Sequence, residues 1–235
     1  MKPYVTAKDL ASFLAAKSPE RKMSIVRAAW RAIHSERKFA PFYQALKTPA
    51  KKFLAGGAQN IEGLLQLIKR ASVPKKDRPW HKTDARITPE AARKLIALAP
   101  NLRALDVVFV SSRKGTKARL EYPDIDVGVP LDMFVEKRVG GATRVGAVRL
   151  YTAKDQEFEL GPKAAEFFAA MEYLWLIRTA TGSAMPDPAL CMVIECFQQR
   201  ITPAPADVEP LAKAIEQGCR NFARLWHSLD SQDAA

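Results

Sequence analysis

One change of hydrophobic period, close to residue 88, limits what this chain of 235 residues can fold into. Before it, apolar residues recur at helical spacing; after it they alternate, most regularly from Ile125 to Val135. Strands are predicted over residues 106–110, 117–122, 124–136, 143–151 and 190–197, and the almost wholly apolar segment 162–179 predicts a buried helix. The pattern predicts an α/β (α+β) protein, in which a helical N-terminal region precedes a mixed central sheet flanked by helices.

The same signals divide the chain into four segments. Residues 1–71 are predicted to be a basic helical region with helix starts at Thr6 and Ser18, and residues 72–87 a basic linker or exposed loop. Residues 88–229 are predicted to form the α/β core, which opens with a helix at Thr88, and residues 230–235 a frayed tail. The last helix carries an apolar stripe from Val208 to Leu229, which packs on the sheet or, alternatively, forms the seam of a homodimer.

Charge is distributed unevenly along the chain. Residues 1–94 contain 21 Lys and Arg against 7 Asp and Glu, a net of +14, whereas residues 95–235 contain 16 against 18, a net of −2, which together give +12. Clustered cations attract polyanions and release their counterions. The sequence therefore predicts nucleic acid, DNA or RNA, as the partner. An acidic protein or an anionic membrane, docked on the basic helix of residues 19–34, is the alternative.

The basic stretch that follows the first two helices combines the two kinds of side chain that nucleic acid requires. Phosphates are contacted by Lys and Arg, and unpaired bases stack on exposed aromatic rings. The candidate nucleic-acid-binding residues are Lys51, Lys52, Lys69, Arg70, Lys75, Lys76, Arg78, Lys82 and Arg86, with Trp80 as the stacking ring.

The sequence shows no pattern typical of a membrane span, a secretory signal or a Cys/His metal site. No apolar run reaches the roughly 18 residues that span a bilayer, and the N-terminal residues contain no apolar segment of the signal-peptide type. Cys191, Cys196 and Cys219 lie among apolar neighbours, which predicts buried free thiols and a cytoplasmic location. The three histidines are far apart in sequence, so a Cys/His metal site is not predicted.

Two short stretches of the predicted core have a recognisable pattern: Pro-Leu-Asp at 130–132, and Ala-Val-Arg at 147–149 after a Gly-Gly turn. With the element order from residue 88 (helix, three or four strands, helix, strand, helix), they resemble the PD-(D/E)XK nuclease superfamily, the restriction-endonuclease-like fold, over about residues 88–227. In that superfamily two acids hold a divalent metal, and a lysine two residues after the second acid helps to position the attacking water. The resemblance implies Asp132 as a catalytic residue and ligand of Mg²⁺ or Mn²⁺, and Arg149 in the place of the lysine.

The second acid of that pattern is replaced by Ala147, so a second carboxylate must come from elsewhere. Asp124 and Asp126 share the predicted strand face of Asp132, while Glu166 lies on the buried helix and Glu195 on the later strand. The leading interpretation is a nucleic-acid-binding protein with a catalytically decayed nuclease-like core. The alternatives are an active divalent-metal-dependent nuclease with a migrated carboxylate, and a protein- or membrane-interaction module.

Overall fold

The computed structural model describes residues 2–34, 44–71, 79–111, 118–152, 160–180 and 183–233, and it has the predicted α/β architecture. Within these residues the helices are α1 Ala7–Ala15, α2 Pro19–His34, α3 Gln44–Ala55, α4 Glu62–Ala71, α5 Pro79–Ala97, α6 Ala99–Ala104, α7 Pro162–Thr179 and α8 Glu209–Asp233. The strands are β1 Tyr4–Thr6, β2 Val108–Ser111, β3 Arg119–Tyr122, β4 Ile125–Gly128, β5 Met133–Val139, β6 Ala142–Tyr151, β7 Met185–Pro186, β8 Met192–Glu195 and β9 Arg200–Pro203.

The strands form a large mixed sheet and a small one. The large sheet has the order β2-β5-β6-β8-β9, and the short β7 also pairs with β6. Neighbouring strands are antiparallel except that β6 runs parallel to β7 and β8. The small sheet has the order β1-β4-β3, with β1 parallel to β4. The N-terminal strand thus completes a sheet whose other strands lie more than 100 residues later.

Helices cover both faces of the large sheet. Alternate residues of β6 point to opposite sides, and Ala147 and Tyr151 pack with α1, α7 and α8. Val148 and Leu150 pack with α3, α4, α5 and α6 on the other side. The helices of residues 1–71 therefore do not share one core: α1 and α2 belong to the first layer, and α3 and α4 to the second.

Several elements begin and end where the sequence predicts. The Thr6 hydroxyl accepts a hydrogen bond from the Asp9 amide at 3.2 Å and caps α1, and Ser18 caps α2 through the Arg21 amide. The helix α7 has the predicted limits, 162–179, and it is buried over most of its length. Gly140 and Gly141 form the two-residue turn between β5 and β6, where φ is +57° and +83°, values that glycine adopts readily.

The predicted strand of residues 124–136 is wrong, because it is two strands in two different sheets. β4 ends at Gly128 and belongs to the small sheet, whereas β5 starts at Met133 in the large one. Pro130 lies between them and has no amide hydrogen to donate to a sheet ladder. The apolar alternation continues through the turn, so the period alone does not reveal the break.

The helix predicted to open at Thr88 begins nine residues earlier, at Pro79. Residues 79–87, assigned from the sequence to a linker or loop, are therefore helical; a proline is favoured in the first turn of a helix, which suits Pro79 at this start. At the other end of the chain, α8 continues to Asp233, into the segment predicted to be frayed. The sequence does not predict the short strands β1, β7 and β9, and β1 and β7 carry too few residues to show a period.

The apolar stripe of α8 packs inside the molecule. Val208, Leu211, Ile215, Phe222 and Leu229 are buried in the layer that also contains α1 and α7. Of the two roles predicted for this stripe, the structure shows packing within the molecule, and nothing in the structure supports the homodimer seam. Cys191, Cys196 and Cys219 are buried free thiols, as expected. Among the described residues, no helix is both long enough and apolar enough to cross a membrane.

Candidate functional site

Asp132 and Arg149, the two residues singled out by the sequence, lie in contact at the beginning of β5. The side chain of Asp132 is buried, and its Oδ2 accepts hydrogen bonds from Arg149 Nη1 and from the Leu150 amide, each at 3.0 Å. The Asp132 amide donates to the Val148 carbonyl at 2.9 Å, which fixes the residue against β6. A second cation, Lys51 on α3, has its Nζ 3.8 Å from Asp132 Oδ1. We call Asp132, Arg149 and Lys51 the Asp132 centre.

The geometry of the Asp132 centre follows from the hairpin that the Gly140-Gly141 turn closes. Its register pairs Met133 with Val148, so the residue before β5 meets the end of β6. Ala147 and Arg149 share a strand face, as the sequence spacing predicts, but Ala147 has no side-chain group that can bind or react. The structure therefore places one carboxylate and one guanidinium together here.

A second carboxyl group, that of Glu172 on α7, interacts electrostatically with Arg149 and Asp132 and was missed by the sequence prediction. Its side chain is fully buried, and neither carboxyl oxygen has a hydrogen-bond partner among the described residues. Burial raises the pKa of Glu172 well above its ordinary value, against the opposing effect of Arg149, and Asp132 raises it further. Burial therefore favours the neutral carboxylic acid over the carboxylate at Glu172. One signal was available: it is the single charged residue in the apolar run 167–177.

Asp124 and Asp126 do not join this centre, which corrects the expectation that they share the face of Asp132. The reason is the break at Pro130, which puts β4 in the small sheet. Asp126 is buried there and binds Arg119 and Lys2, the latter at 2.9 Å. Burial alone would raise the pKa of Asp126, but Lys2 and Arg119 together hold it below its usual value.

Glu166 and Glu195 are also engaged elsewhere. On the exposed side of α7, Glu166 forms an ion pair at 2.7 Å with Lys163, which lies one turn earlier on the same helix. Glu195 is fully buried in β8, and its Oε2 accepts a hydrogen bond from Arg200 Nε at 2.6 Å. Neither forms a described contact with Asp132; the carboxyl group that interacts electrostatically with Asp132 and Arg149 is that of Glu172.

The donor set does not fit the divalent cation that the nuclease resemblance implies. Mg²⁺ and Mn²⁺ require anionic or carbonyl oxygens with free lone pairs. Oδ2 of Asp132 already accepts two hydrogen bonds, one of them from a cation, and burial disfavours the charged form of Glu172 that a metal ion would need. Within the described part of the chain, no group of three His, Cys, Asp or Glu side chains is arranged to hold a metal ion.

The described candidate cations lie on α3 and α4, which pack against each other on the second layer. Lys52, Lys69 and Arg70 are exposed, and Lys51 is half-buried because it reaches toward Asp132. Lys47, one turn before Lys51, is also exposed and extends the same basic surface. We call Lys47, Lys52, Lys69 and Arg70 the α3/α4 basic surface. None of the four forms an ion pair with another described residue.

The remaining nucleic-acid candidates cannot be placed in the same way. Lys75, Lys76 and Arg78 lie outside the described residues. Trp80, Lys82 and Arg86 belong to the first half of α5, so their backbone is helical rather than that of a loop.

The basic helix α2 does not offer an apolar face to a membrane. Val26 is fully buried, and Met23 and Trp30 pack against the first core layer. Trp30 Nε1 also donates a hydrogen bond to Asp230 Oδ1 on α8 at 2.7 Å. Among the large apolar residues of α2, Ile33 alone is exposed, so insertion of α2 into a bilayer would require its release from α8.

No protein-family model matches this chain, and no curated protein matches its sequence. What the site can do follows from its geometry and charge.

Proposed function

We propose that this protein binds nucleic acid through the α3/α4 basic surface, and that the Asp132 centre has a structural rather than a catalytic role. The observation that carries the proposal is the set of four exposed cations without acidic partners among the described residues, beside a fifth, Lys51, that is held by Asp132. Unbalanced cations on adjacent helices repel one another and contribute nothing to the core. A polyanion removes that repulsion and gains entropy from the counterions that it releases.

The structural role of the Asp132 centre rests on how its groups are already used. Arg149 offsets the charge of Asp132 and already takes up part of the hydrogen-bonding capacity of Oδ2. An arginine also stays protonated at every physiological pH, so it cannot move a proton to or from a water molecule. The alternative, an active divalent-metal-dependent nuclease, has Glu172 as its specific support, since this residue supplies a second carboxyl group. For catalysis, this alternative requires that Glu172 ionises and that Arg149 moves away from Asp132.

The binding test compares two variants that lose the same charge from different surfaces. In the first, Lys47, Lys52, Lys69 and Arg70 are changed to Gln. In the control, four exposed cations of the C-terminal half are changed to Gln: Arg138, Lys163, Arg178 and Lys213. Fluorescence anisotropy with labelled single- and double-stranded DNA and RNA is measured from low to high salt for wild type and both variants.

We expect the wild-type affinity to fall log-linearly with salt. The α3/α4 variant should bind at least about tenfold more weakly, with a salt slope that is smaller by about 0.7–0.9 for each phosphate that the variant no longer neutralises. The control should stay within about threefold of wild type, because only long-range attraction is reduced. Equal losses of affinity in both variants would show that net charge, rather than this surface, governs binding. No binding by the wild type at low salt would refute the function.

A cleavage assay separates the proposal from its alternative. Wild type is incubated with Mg²⁺ or Mn²⁺ and each type of strand, and we expect the strands to remain intact. Cleavage that disappears in a folded Asp132→Ala variant would instead establish the nuclease and give Asp132 a catalytic role.

A further inference from the structure

A second cationic site lies on the opposite layer, between the beginning of the chain and α8. It is a cleft of about 570 Å³, a volume within the range of small-molecule sites. Its charged and titratable lining residues are Lys2, Asp124, Arg220, Arg224 and His227. The α3/α4 basic surface is on the other side of the large sheet, so this cleft is a separate feature.

The fold assembles this cleft from two distant segments. Arg220, Arg224 and His227 follow one another at spacings of four and three along α8, which puts them on one face of the helix. Lys2 reaches the same place because β1 pairs with β4, and because the Asp126 amide donates to the Pro3 carbonyl at 3.0 Å.

The cations line the cleft, whereas the acids that hold them lie outside its lining. Lys2 Nζ is 2.9 Å from Asp126, and Arg220 Nη1 is 2.8 Å from Glu216 Oε1. These contacts fix both side chains and still leave donor hydrogens for a ligand, since an ammonium has three and a guanidinium five. His227 is held in the same manner, with Nδ1 3.3 Å from Asp230 Oδ2.

Arg224 differs from its neighbours, because it is exposed and has no ion-pair partner among the described residues. Asp124 is the one acid in the lining, against the permanent charges of Lys2, Arg220 and Arg224. Because Asp126 and Glu216 offset the charges of Lys2 and Arg220, Arg224 is the cation of the lining whose charge no described ion pair offsets. A guanidinium fork matches the oxygens of a phosphate group in both geometry and charge.

We propose that this cleft binds a phosphate monoester, whose oxygens match the guanidinium fork of Arg224 and the remaining donor hydrogens of Lys2 and Arg220. Two sources share this chemistry: a free mononucleotide or similar small phosphate, and the terminal phosphate of a polynucleotide. Arg224 is the principal ligand, Lys2 and Arg220 are prepositioned donors, and Asp124 weakens binding by its negative charge.

The test uses the full chain and follows the ring resonances of His227 by NMR. The chain has three histidines, so the signal can be assigned with a His227→Gln variant. Probes are inorganic phosphate, adenosine 5′-monophosphate and adenosine, and then one oligonucleotide with either a 5′-phosphate or a 5′-hydroxyl. We expect saturable shifts with the phosphorylated probes and none with adenosine. A larger effect of the phosphorylated oligonucleotide than of the mononucleotide identifies a terminal phosphate as the ligand, and the reverse identifies a small phosphate.

Three variants test the assignment of the residues. Arg224→Gln should weaken phosphate binding about tenfold, because it removes the charge-assisted contact between the guanidinium and the phosphate. Arg224 forms no ion pair with another described residue, so the substitution should not disturb the fold. Asp124→Asn should tighten binding, and Lys213→Gln, on α8 but outside the cleft, should leave it within twofold of wild type. Absence of a saturable His227 shift, or unchanged affinity in Arg224→Gln, would overturn the proposal. The α3/α4 variant should bind phosphate normally, so failure of the nucleic-acid proposal and failure of this one are distinguishable.

Discussion

Arg149 binds the carboxylate of Asp132 across the β5–β6 hairpin, with 3.0 Å between Nη1 and Oδ2. The aspartate is nearly excluded from solvent, and about a quarter of the arginine side chain is exposed. A buried charge that loses its partner keeps its desolvation cost without compensation. The stability of the Asp132 centre therefore depends on both groups being present.

Arg149→Leu should lower the free energy of unfolding by about 3 kcal/mol, the lower end of the range for a broken buried pair, since Arg149 is partly exposed. Arg144→Leu on the same strand is the control, and it should change stability by less than about 0.5 kcal/mol. Urea unfolding measures both. The Asp132→Asn/Arg149→Leu double variant should recover part of the loss, because it no longer buries a carboxylate that has lost its nearest cation; a double variant as unstable as the sum of the single ones would contradict this account.

How far the sequence predicts this site can be judged from Asp132, Arg149 and Glu172. The nuclease resemblance named the first two, and the Gly-Gly turn accounts for their contact, because a tight hairpin fixes its own register. Glu172 could not be placed in the same way. Its position depends on how α7 packs across the sheet, a long-range contact that no local spacing encodes. Asp126 was misplaced for a related reason, since apolar alternation persists through the turn at Pro130 and conceals the change of sheet.

The buried carboxyl group of Glu172 should make stability depend on pH. Its pKa in the folded protein is raised above the ordinary value of 4.5, so its contribution is fully present below that pH. It is lost as the pH rises toward the folded pKa, because the unfolded chain ionises first. Glu172→Gln, which cannot ionise, should therefore gain stability relative to wild type as the pH rises from 5 to 8.

Denaturant unfolding at several pH values tests this expectation. Glu166→Gln on the same helix is the control: its carboxylate is partly exposed and paired with Lys163, so its difference from wild type should vary little with pH. A Glu172→Gln difference that is constant across the range would show that Glu172 is ionised in the folded protein.

Asp126 should give the opposite pH dependence. Lys2 and Arg119 hold its folded pKa below the ordinary value of 3.8, so its stabilising contribution is present above that pH and is lost as the pH falls through the folded pKa. Asp126→Asn should cost about 2 kcal/mol at pH 7, the magnitude of hydrogen bonds to a charged group, and progressively less toward pH 3. The control is Asp124→Asn, at a neighbouring exposed residue, which should change stability little at any pH between 3 and 7. A loss of stability in Asp126→Asn that persists undiminished at pH 3 would point to packing rather than charge.

The backbone of β6 approaches the short 3₁₀ turn Pro188–Leu190 so closely at Gly146 that no side chain fits there. A Cβ at this position would overlap the Leu190 carbonyl oxygen, which belongs to backbone and cannot rotate away. Gly146→Ala should therefore cost more than about 2 kcal/mol, as overpacking of a core does. Gly63, in the exposed part of α4, is the matched control, since the nearest atom to an added Cβ would be 3.9 Å away. Gly63→Ala should stabilise the protein by about 0.5–1 kcal/mol through helix propensity. Opposite changes in the thermal midpoint of the two variants would support this packing, whereas a neutral Gly146→Ala would show that β6 and the turn are further apart.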